Sequence, residues 1–391
     1  MKNGRQVAIV GAYRTKFGEL WDKGLRELAS EAITGALDDV QNLSERDIEA
    51  AFVGNSSAST FGGQDSVGPL VVDSAGLVPL PVTKIGGTGA SGAMALRTAY
   101  MAIRSGLYDI VVTCGLEKMT DVTDPEEVNS ALAHSIDQEW EARQGLTTTG
   151  AFALMARRHF DEFGTTKEHL ASVAVKNHSN GSKNPKAHFR NMVSLEQVIS
   201  GKMVADPLGV FDCSPVSDGA AAVVLASDNI AKDLSDTPIW IIGSGQASDY
   251  VALHDRESLY SLNASQLAGK EAFQTARVAR DQISLVEVHD NYTIGEIMAI
   301  EDLDLFPQGQ GGFATLDGQT AFDAETPVNP SGGLKAGGNP LGASGVAQAV
   351  EGVIQLRGEA ESRQVNGAEI ALLHSVGGSG ALAVCHILTR S

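Results

Sequence analysis

Cysteine is scarce in this chain: three in 391 residues, at positions 114, 213 and 385. Their odd number and wide spacing exclude a disulfide framework and a structural zinc site, and Cys114, Cys213 and Cys385 each read as a small buried hydrophobe in a reducing compartment. Positive charge is short as well. Twenty-nine Lys and Arg face 48 Asp and Glu, a net charge of -19, so the average surface field repels nucleic acid and anionic membrane, and a polyanionic ligand needs a local basic patch. No run approaches the roughly 18 apolar residues of a membrane span, and residues 1–6 are short and polar, so a cytoplasmic location is the default expectation. Several catalytic templates are missing too. No serine sits in a G-x-S-x-G elbow, no G-x-x-x-x-G-K-[ST] phosphate loop occurs, and no His pair has metalloprotease spacing.

What is abundant is glycine, 43 residues, in clusters such as Gly86-Gly87, Gly332-Gly333 and Gly377-Gly378, within a chain 43% hydrophobic and 20% charged. That balance belongs to a folded α/β protein, and the clusters mark tight turns and close backbone approach. Residues 7–11 predict a buried strand. Leu25, Leu28, Ala29, Ala32, Ile33, Ala36, Leu37 and Val40 then recur at helical spacing, Ser44 and Asp47 resemble a capping signal, and residues 48–53 predict the next strand. The order returns late, as a helix over 267–279 and a strand over 283–289. Likewise Gly89-Ala90-Ser91-Gly92 precedes a helix and the strand 109–113, while Gly342-Ala343-Ser344-Gly345 precedes a helix and the strand 370–373. The chain reads as two duplicated α/β halves with a site where the glycine loops meet at helix N-termini.

Between the halves, residues 121–205 are richer in charge, His and Asn, and read as an inserted loop domain. Lys176, Lys183, Lys186 and Arg190 within it either meet the phosphates of a nucleotide-like ligand or form a solvated helix face. Residues 87–92 are formally G-x-G-x-x-G, with Asp109 as a ribose acceptor. The loop is not in the first βα turn, however, and its variant at 342–345 is not explained by one dinucleotide site. The remaining constellation is His289-Asp290-Asn291-Tyr292 at a strand end, the turn from 329 to 345, and residues 374–380. A histidine at the C-terminal end of such a strand, His289 or His374, can donate to a developing oxyanion or move a proton near neutral pH.

These segments, with residues 115–120, Asp212-Cys213-Ser214-Pro215-Val216-Ser217-Asp218-Gly219 and Val328-Asn329-Pro330-Ser331-Gly332-Gly333, resemble the sterol-carrier-type thiolases, and above all their archaeal-type branch. The resemblance runs from first strand to last in order and spacing. It implies the five-layered α-β-α-β-α thiolase fold, with residues 1–120 and 206–245 as the N-terminal half, 121–205 as the loop domain and 246–391 as the C-terminal half. It also implies a homodimer, acyl-CoA under the loop domain with coenzyme A as a substrate, and a separate small zinc-ribbon/OB-fold subunit, with no metal in this chain. Coenzyme A contacts fall to Lys183, Lys186, Arg190, Ser331 and Gly332.

Two departures matter most. The position of the family's nucleophilic cysteine is Gly89, so no acyl-cysteine forms there. The histidine of its Gly-His-Pro motif is Asn339. Gly89 and Gly380 still offer backbone N–H groups for an oxyanion hole, and His289 and Asn339 still offer donors to a thioester oxygen. The preferred reaction is therefore thiolysis of a β-ketoacyl-CoA, or its Claisen reverse, with the CoA thiolate attacking directly after deprotonation by His374. Gly89 would make room for a bulky or branched acyl group such as an aroyl-succinyl chain. Retro-aldol cleavage of a β-hydroxyacyl-CoA, with His289 or Tyr292 as base, is the second reading, and a non-catalytic acyl-CoA-binding scaffold the third.

Overall fold

The structure, a computed structural model, describes residues 4–390. Eleven strands are formed: β1 (Val7–Arg14), β2 (Ala50–Gly54), β3 (Val82–Ile85), β4 (Ile110–Glu117), β5 (Met203–Ala205), β6 (Leu208–Gly209), β7 (Gly219–Ser227), β8 (Ile239–Ser248), β9 (Leu285–Glu287), β10 (Ile370–Gly377) and β11 (Leu382–Thr389). Nine of them run in the order β3-β2-β4-β7-β1-β8-β11-β10-β9, and β5 pairs with β6 apart from the rest.

The duplication is visible in the ladders. In the first half β2 lies parallel to β4, β4 antiparallel to β7, and β7 antiparallel to β1. In the second half β9 lies parallel to β10, β10 antiparallel to β11, and β11 antiparallel to β8. The halves join where Ala8 and Ile9 of β1 oppose Trp240 and Ile239 of β8.

Three apolar cores separate the layers. Leu28, Ala32 and Ile33 of helix Leu25–Asp38 and Val71 and Val72 of helix Val67–Ser74 cover one face of the first half, against Val10, Val53, Val112 and Val224. Ala268 and Ala272 of helix Asn263–Ala276 and Ile300 of helix Thr293–Asp302 cover the outer face of the second half, against Val286, Leu372 and Ile387. Between the halves lie helices Ser91–Arg104 and Leu341–Arg357, whose Leu96, Ile103, Val346 and Val353 meet residues of both. This is the α-β-α-β-α layering of the thiolase fold.

The periodic residues Leu28, Ala29, Ala32, Ile33 and Ala36 are all buried, and the Glu27 carboxylate accepts from Gly24 N–H at 3.0 Å to close the first turn of their helix. Ser44 and Asp47 do cap, but they cap the single 3₁₀ turn Glu45–Asp47, and β2 starts at Ala50 rather than Ile48. The late strand is shorter than its sequence pattern, ending at Glu287. Val288 N–H turns from the ladder to the Asn329 side chain, 2.8 Å away, and this releases His289 from the sheet.

Helices Thr148–Phe163 and Lys167–Ser182 of the inserted segment pack on the second half through Phe152, Met155, Leu170 and Val173 against Tyr292, Ile297 and Val376. The second helix is also tied by buried polar bonds. Lys176 pairs with Glu296 at 3.0 Å, and Asn177 donates to Asp290 and Glu296 at 2.7 and 2.8 Å.

Candidate functional site

Helices Ser91–Arg104 and Leu341–Arg357 cross at their glycines. A Cβ on Gly345 would lie 2.4 Å from Ala93 N, and one on Gly92 2.6 Å from Gly342 O. The repeated Gly-Ala-Ser-Gly motif is thus a packing motif of two helix starts, which accounts for the glycine pattern without a dinucleotide. Asp109 is occupied at the far end of β4, where it takes Arg5 at 2.6 Å and Ser227 at 2.7 Å. The crossing is pinned by Glu117, whose carboxylate accepts from Asn55 Nδ2, Ser56 N–H, Ser57 N–H and Gly342 N–H at 2.8 to 3.0 Å.

In front of this crossing lies a cavity of about 70 Å³. Thr88 and Gly89 line it from the first half. His289, Asn291, Tyr292, Asn339, Leu341, Val376 and Gly378 line it from the second, and Ser214, Pro215 and Val216 from the segment before β7. Leu132, Ser135 and Thr148 of the inserted segment, with Met119, complete it. None of these side chains carries a charge at neutral pH.

The Gly89 loop is held open by its own polar groups. Ser91 Oγ accepts from Gly87 N–H at 2.8 Å and donates to Thr88 O at 2.7 Å. Thr88 adopts φ 50°, a left-handed conformation strained for a β-branched residue. Gly89 follows it in the first turn of a helix start, where N–H groups lack intrahelical acceptors. A Cβ at residue 89 would lie 2.6 Å from Val376 O, 2.7 Å from His289 Cε1 and 2.9 Å from His289 Nε2. The space freed by glycine therefore holds the His289 imidazole. Room for an acyl group has to come instead from the apolar side, at Met119, Leu132 and Leu341.

Burial pushes His289 down to about 3, assisted by the nearby His374, so the ring is neutral. Asn339 is fixed in orientation. Its Oδ1 accepts from Ser344 Oγ at 3.0 Å, its Nδ2 donates to Ser214 Oγ at 3.2 Å, and its N–H donates to Ser217 Oγ at 3.2 Å. Tyr292 shares a 3.0 Å hydrogen bond with Thr149 Oγ1 and lies 4.6 Å from the Phe152 ring, while burial raises its phenol above the usual value. Asp290 faces away from the cavity and accepts from Leu334 N–H and Lys335 N–H at 2.6 and 3.1 Å, anchoring the glycine-rich turn that presents Asn339.

The other sequence candidates lie elsewhere. His374 is enclosed on β10, its Nε2 2.9 Å from Ser265 Oγ, and does not line the cavity. Gly380 is set back, its N–H donating to Gly377 O at 3.2 Å, and Gly378 reaches the cavity in its place. Lys183 sits over the Phe322 ring at 3.6 Å, and Lys186 over Tyr13 at 3.7 Å while donating to Arg14 O. Arg190 is exposed. Ser331 is buried on Glu287 at 2.6 Å, and Gly332 turns at φ 99° against Gly181. None of these five lines the cavity. The thiols are inert by environment, since burial pushes Cys114 and Cys213 up to about 12 and Cys385 higher still. Three contributors were not singled out from the sequence: Ser214, Asn291 and Ser344. All three lay inside motifs noted in the sequence, but the Ser214 and Ser344 hydroxyls gained meaning only once they faced Asn339.

Among the described residues no helix is long and apolar enough to cross a membrane. Residues 7–229 match the family model for the thiolase N-terminal domain, and residues 245–390 the model for a thiolase C-terminal domain-like region. The chain is 50% identical to a protein of Methanothermobacter thermautotrophicus named acetyl-CoA acetyltransferase, over 99% of this chain and 100% of that one. It is 33% identical to sterol carrier protein 2 of Bos taurus, over 97% of this chain and 71% of that protein. A solved structure described as Ltp2-ChsH2(DUF35) aldolase superposes with TM-score 0.86 at 24% identity, over 100% of this chain and 99% of that chain, and shares the fold. The doubled α/β architecture, the glycine loops meeting at its centre and these matches across both halves make the chain a member of the thiolase family.

Proposed function

We propose that the protein cleaves or forms a carbon–carbon bond in an acyl-CoA ester without an acyl-cysteine, with CoA-dependent thiolysis of a bulky or branched β-ketoacyl-CoA, such as an aroyl-succinyl-CoA, as the main direction. The observation that carries the cysteine-independent reading is the imidazole of His289 in the space a residue-89 side chain would occupy, and the bulky acyl group relies on the apolar lining at Met119, Leu132 and Leu341. In the proposed step the CoA thiolate attacks the β-carbonyl carbon, and the C–C bond breaks toward the thioester. The negative charge gathers on the thioester oxygen. Neutral His289, the Asn339 amide and the Gly89 N–H donate to that oxygen, and the enolate then takes a proton from water at carbon, matching the one the CoA thiol released to water on forming the thiolate. Neutral donors suit this role, since they stabilise the developing charge in a low-dielectric site without needing to ionise.

His374 is dropped as the base for CoA in this scheme, because its enclosed ring meets Ser265 and not the cavity. Retro-aldol cleavage of a β-hydroxyacyl-CoA is the second reading, favoured by the Tyr292–Thr149 hydroxyl pair at the cavity wall. The names of the relatives support both directions, acetyl-CoA acetyltransferase the first and aldolase the second. A homodimer and a separate zinc-ribbon/OB-fold subunit that completes the acyl-CoA site belong to the same proposal, and the DUF35 component named in the aldolase structure is its support.

The test is mass-spectrometric product analysis of the purified protein, with and without such a subunit, on β-keto and β-hydroxyacyl-CoA esters with and without free CoA. Cleavage of a β-keto ester only with CoA present is the expected result. Release of a carbonyl compound without CoA selects the aldolase, and binding of CoA with no ester consumed would replace both by a scaffold.

A further inference from the structure

In the loop of residues 377–380 that follows β10, Ser379 is the one residue with a side chain. The site leans on this loop nonetheless. Gly378 lines the cavity, a Cβ on Gly89 would lie 2.6 Å from Val376 O, and one on Gly377 would lie 2.5 Å from Gly87 O. Gly378 and Gly380 adopt φ 63° and 104°, left-handed conformations that glycine enters without strain and leaves as freely. A loop of this composition keeps one shape only where something outside it holds it.

Half-buried Arg256 reaches it from a distant stretch of the chain. Its Nη1 donates to Ser379 O at 2.7 Å and its Nη2 to Ser379 Oγ at 3.0 Å, while Nη2 and Nε turn back to Val251 O and Tyr250 O at 3.2 and 3.0 Å. All four acceptors are neutral oxygens, so the guanidinium acts here as a rigid planar fork between two pieces of backbone and not as half of an ion pair. A Cβ on Gly380 would lie 3.3 Å from Nη1, which seats the fork directly against the loop. The same stretch also holds the facing wall. The Glu141 carboxylate of the inserted segment accepts from Leu253 N–H, and a Cβ on Gly378 would collide with the carbonyl of Ser135, itself a lining residue. Residues 250–256 thus tie the glycine loop and the inserted segment into one frame around the cavity.

We infer that Arg256 is a positioning residue of the site: its guanidinium fixes loop 377–380, and with it the backbone that closes the cavity beside Gly89 and His289. The inference rests on the reading of the cavity as the reaction site and names what keeps its backbone wall in register. A misplacement of about 1 Å in such a wall costs on the order of 10²-fold in rate. Lysine would keep the charge but offers a point donor without the fork, and cannot meet Ser379 O and Ser379 Oγ together with the two carbonyls of its own turn.

The experiment compares the full-length protein with Arg256→Ala, Arg256→Lys and Ser379→Ala, by hydrogen–deuterium exchange read in the mass spectrometer and by kinetics on any ester the wild type cleaves. Arg256→Ala should speed exchange in the peptides covering residues 250–256 and 376–382 and leave those of β1 and β4 as in the wild type. Its kcat should fall by roughly 10²-fold with KM little changed. Millimolar guanidinium in the assay should restore part of that loss, which a general loss of stability would not allow. Arg256→Lys should resemble Arg256→Ala, and Ser379→Ala, which removes one acceptor and is the mildest variant, should move both readouts the same way by less. Unchanged exchange of the glycine loop in Arg256→Ala, or in Ser379→Ala where the arginine variant does not fold, overturns the inference, as does full activity in Arg256→Lys. Faster loop exchange in a protein that cleaves no ester upholds the positioning and removes the catalytic reading of the cavity instead.

Discussion

His289 and Gly89 form one device: Nε2 of the imidazole lies 2.9 Å from the point where a Cβ on residue 89 would be built. Neither position can change alone. A side chain at 89 evicts the ring, and loss of the ring leaves a hole beside the glycine.

Gly89→Cys should therefore fail to install thiolase chemistry. Overpacking of this kind destabilises by about 1–3 kcal/mol, and the native reaction should fall as His289 is displaced. The double variant Gly89→Cys/His289→Ala removes the clash with the imidazole, though not the 2.6 Å approach to Val376 O, and should react with iodoacetamide faster than the single variant. Equal alkylation rates would mean that His289 yields its place freely.

The two donors are expected to contribute unequally. Loss of one preorganised oxyanion donor costs about 10²–10³ in kcat, so His289→Ala should show a loss of that order with little change in KM. Ser344→Ala releases Asn339 Oδ1 and lets the amide turn, and its loss should be smaller than that of Asn339→Ala. Steady-state kinetics on the ester identified by product analysis separates the two. A kcat unchanged in His289→Ala would remove the histidine from the reaction.

Thermal stability should peak near pH 6. Burial lifts Asp290 and Asp302 to about 7, and lifts Glu287 to about 8 with Glu351 nearby. Each raised carboxyl holds a proton in the folded chain that the unfolded chain releases above about 4, so its contribution is full below that pH and is lost as pH rises through the folded value. Burial pushes His178 and His386 down to about 4 and His289 and His374 to about 3. These lower stability as pH falls below about 6.5, where the unfolded chain takes up protons first. The groups oppose each other between about 4 and 6.5; above that the carboxyls lead, until buried Lys186 and Lys335, pushed down to about 8, begin to act in the opposite sense. Calorimetry from pH 4 to 9 should show the midpoint declining from pH 6.5 to 8. A midpoint that rises over that interval contradicts the raised carboxyls.

Glu117→Ala should be among the most damaging single changes outside the cavity. It leaves three backbone N–H groups without their acceptor, at about 1–3 kcal/mol for each group that stays buried, while Asn55 Nδ2 loses one of its two acceptors and keeps Leu116 O. Urea unfolding should show a loss of several kcal/mol by that reckoning, and a loss under 1 kcal/mol would mean that water replaces the carboxylate.

Much of the architecture could be read from the residues, because periodicity and repetition are local signals. Leu28 to Ala36 and the paired Gly-Ala-Ser-Gly motifs identify the layered halves, and the release of His289 at a strand end follows from the short apolar run before it. Gly89 and Asn339 stand in the glycine-rich segments singled out from the sequence, and both line the cavity. The surroundings of the residues proposed to meet coenzyme A were not legible there. Lys183 and Lys186 lie near each other in sequence, but their partners, Phe322 and the Tyr13–Arg14 segment, come from distant stretches of the chain. His374 looked like a base by type and position, yet the alternation of β10 turns it toward helix Asn263–Ala276 and Ser265. Ser214 and Ser344 gain their function only by facing Asn339, a relation that no spacing encodes.

The glycine crossing of helices Ser91–Arg104 and Leu341–Arg357 has a consequence for how such a site can be retuned. Its two helix starts meet largely backbone against backbone, with only small or fixed side chains such as Ala93 and Val346 beside the contact. A new acyl preference is then expected to be written at Leu132, Ser135 and Thr148 of the inserted segment, which line the cavity with side chains free of that crossing.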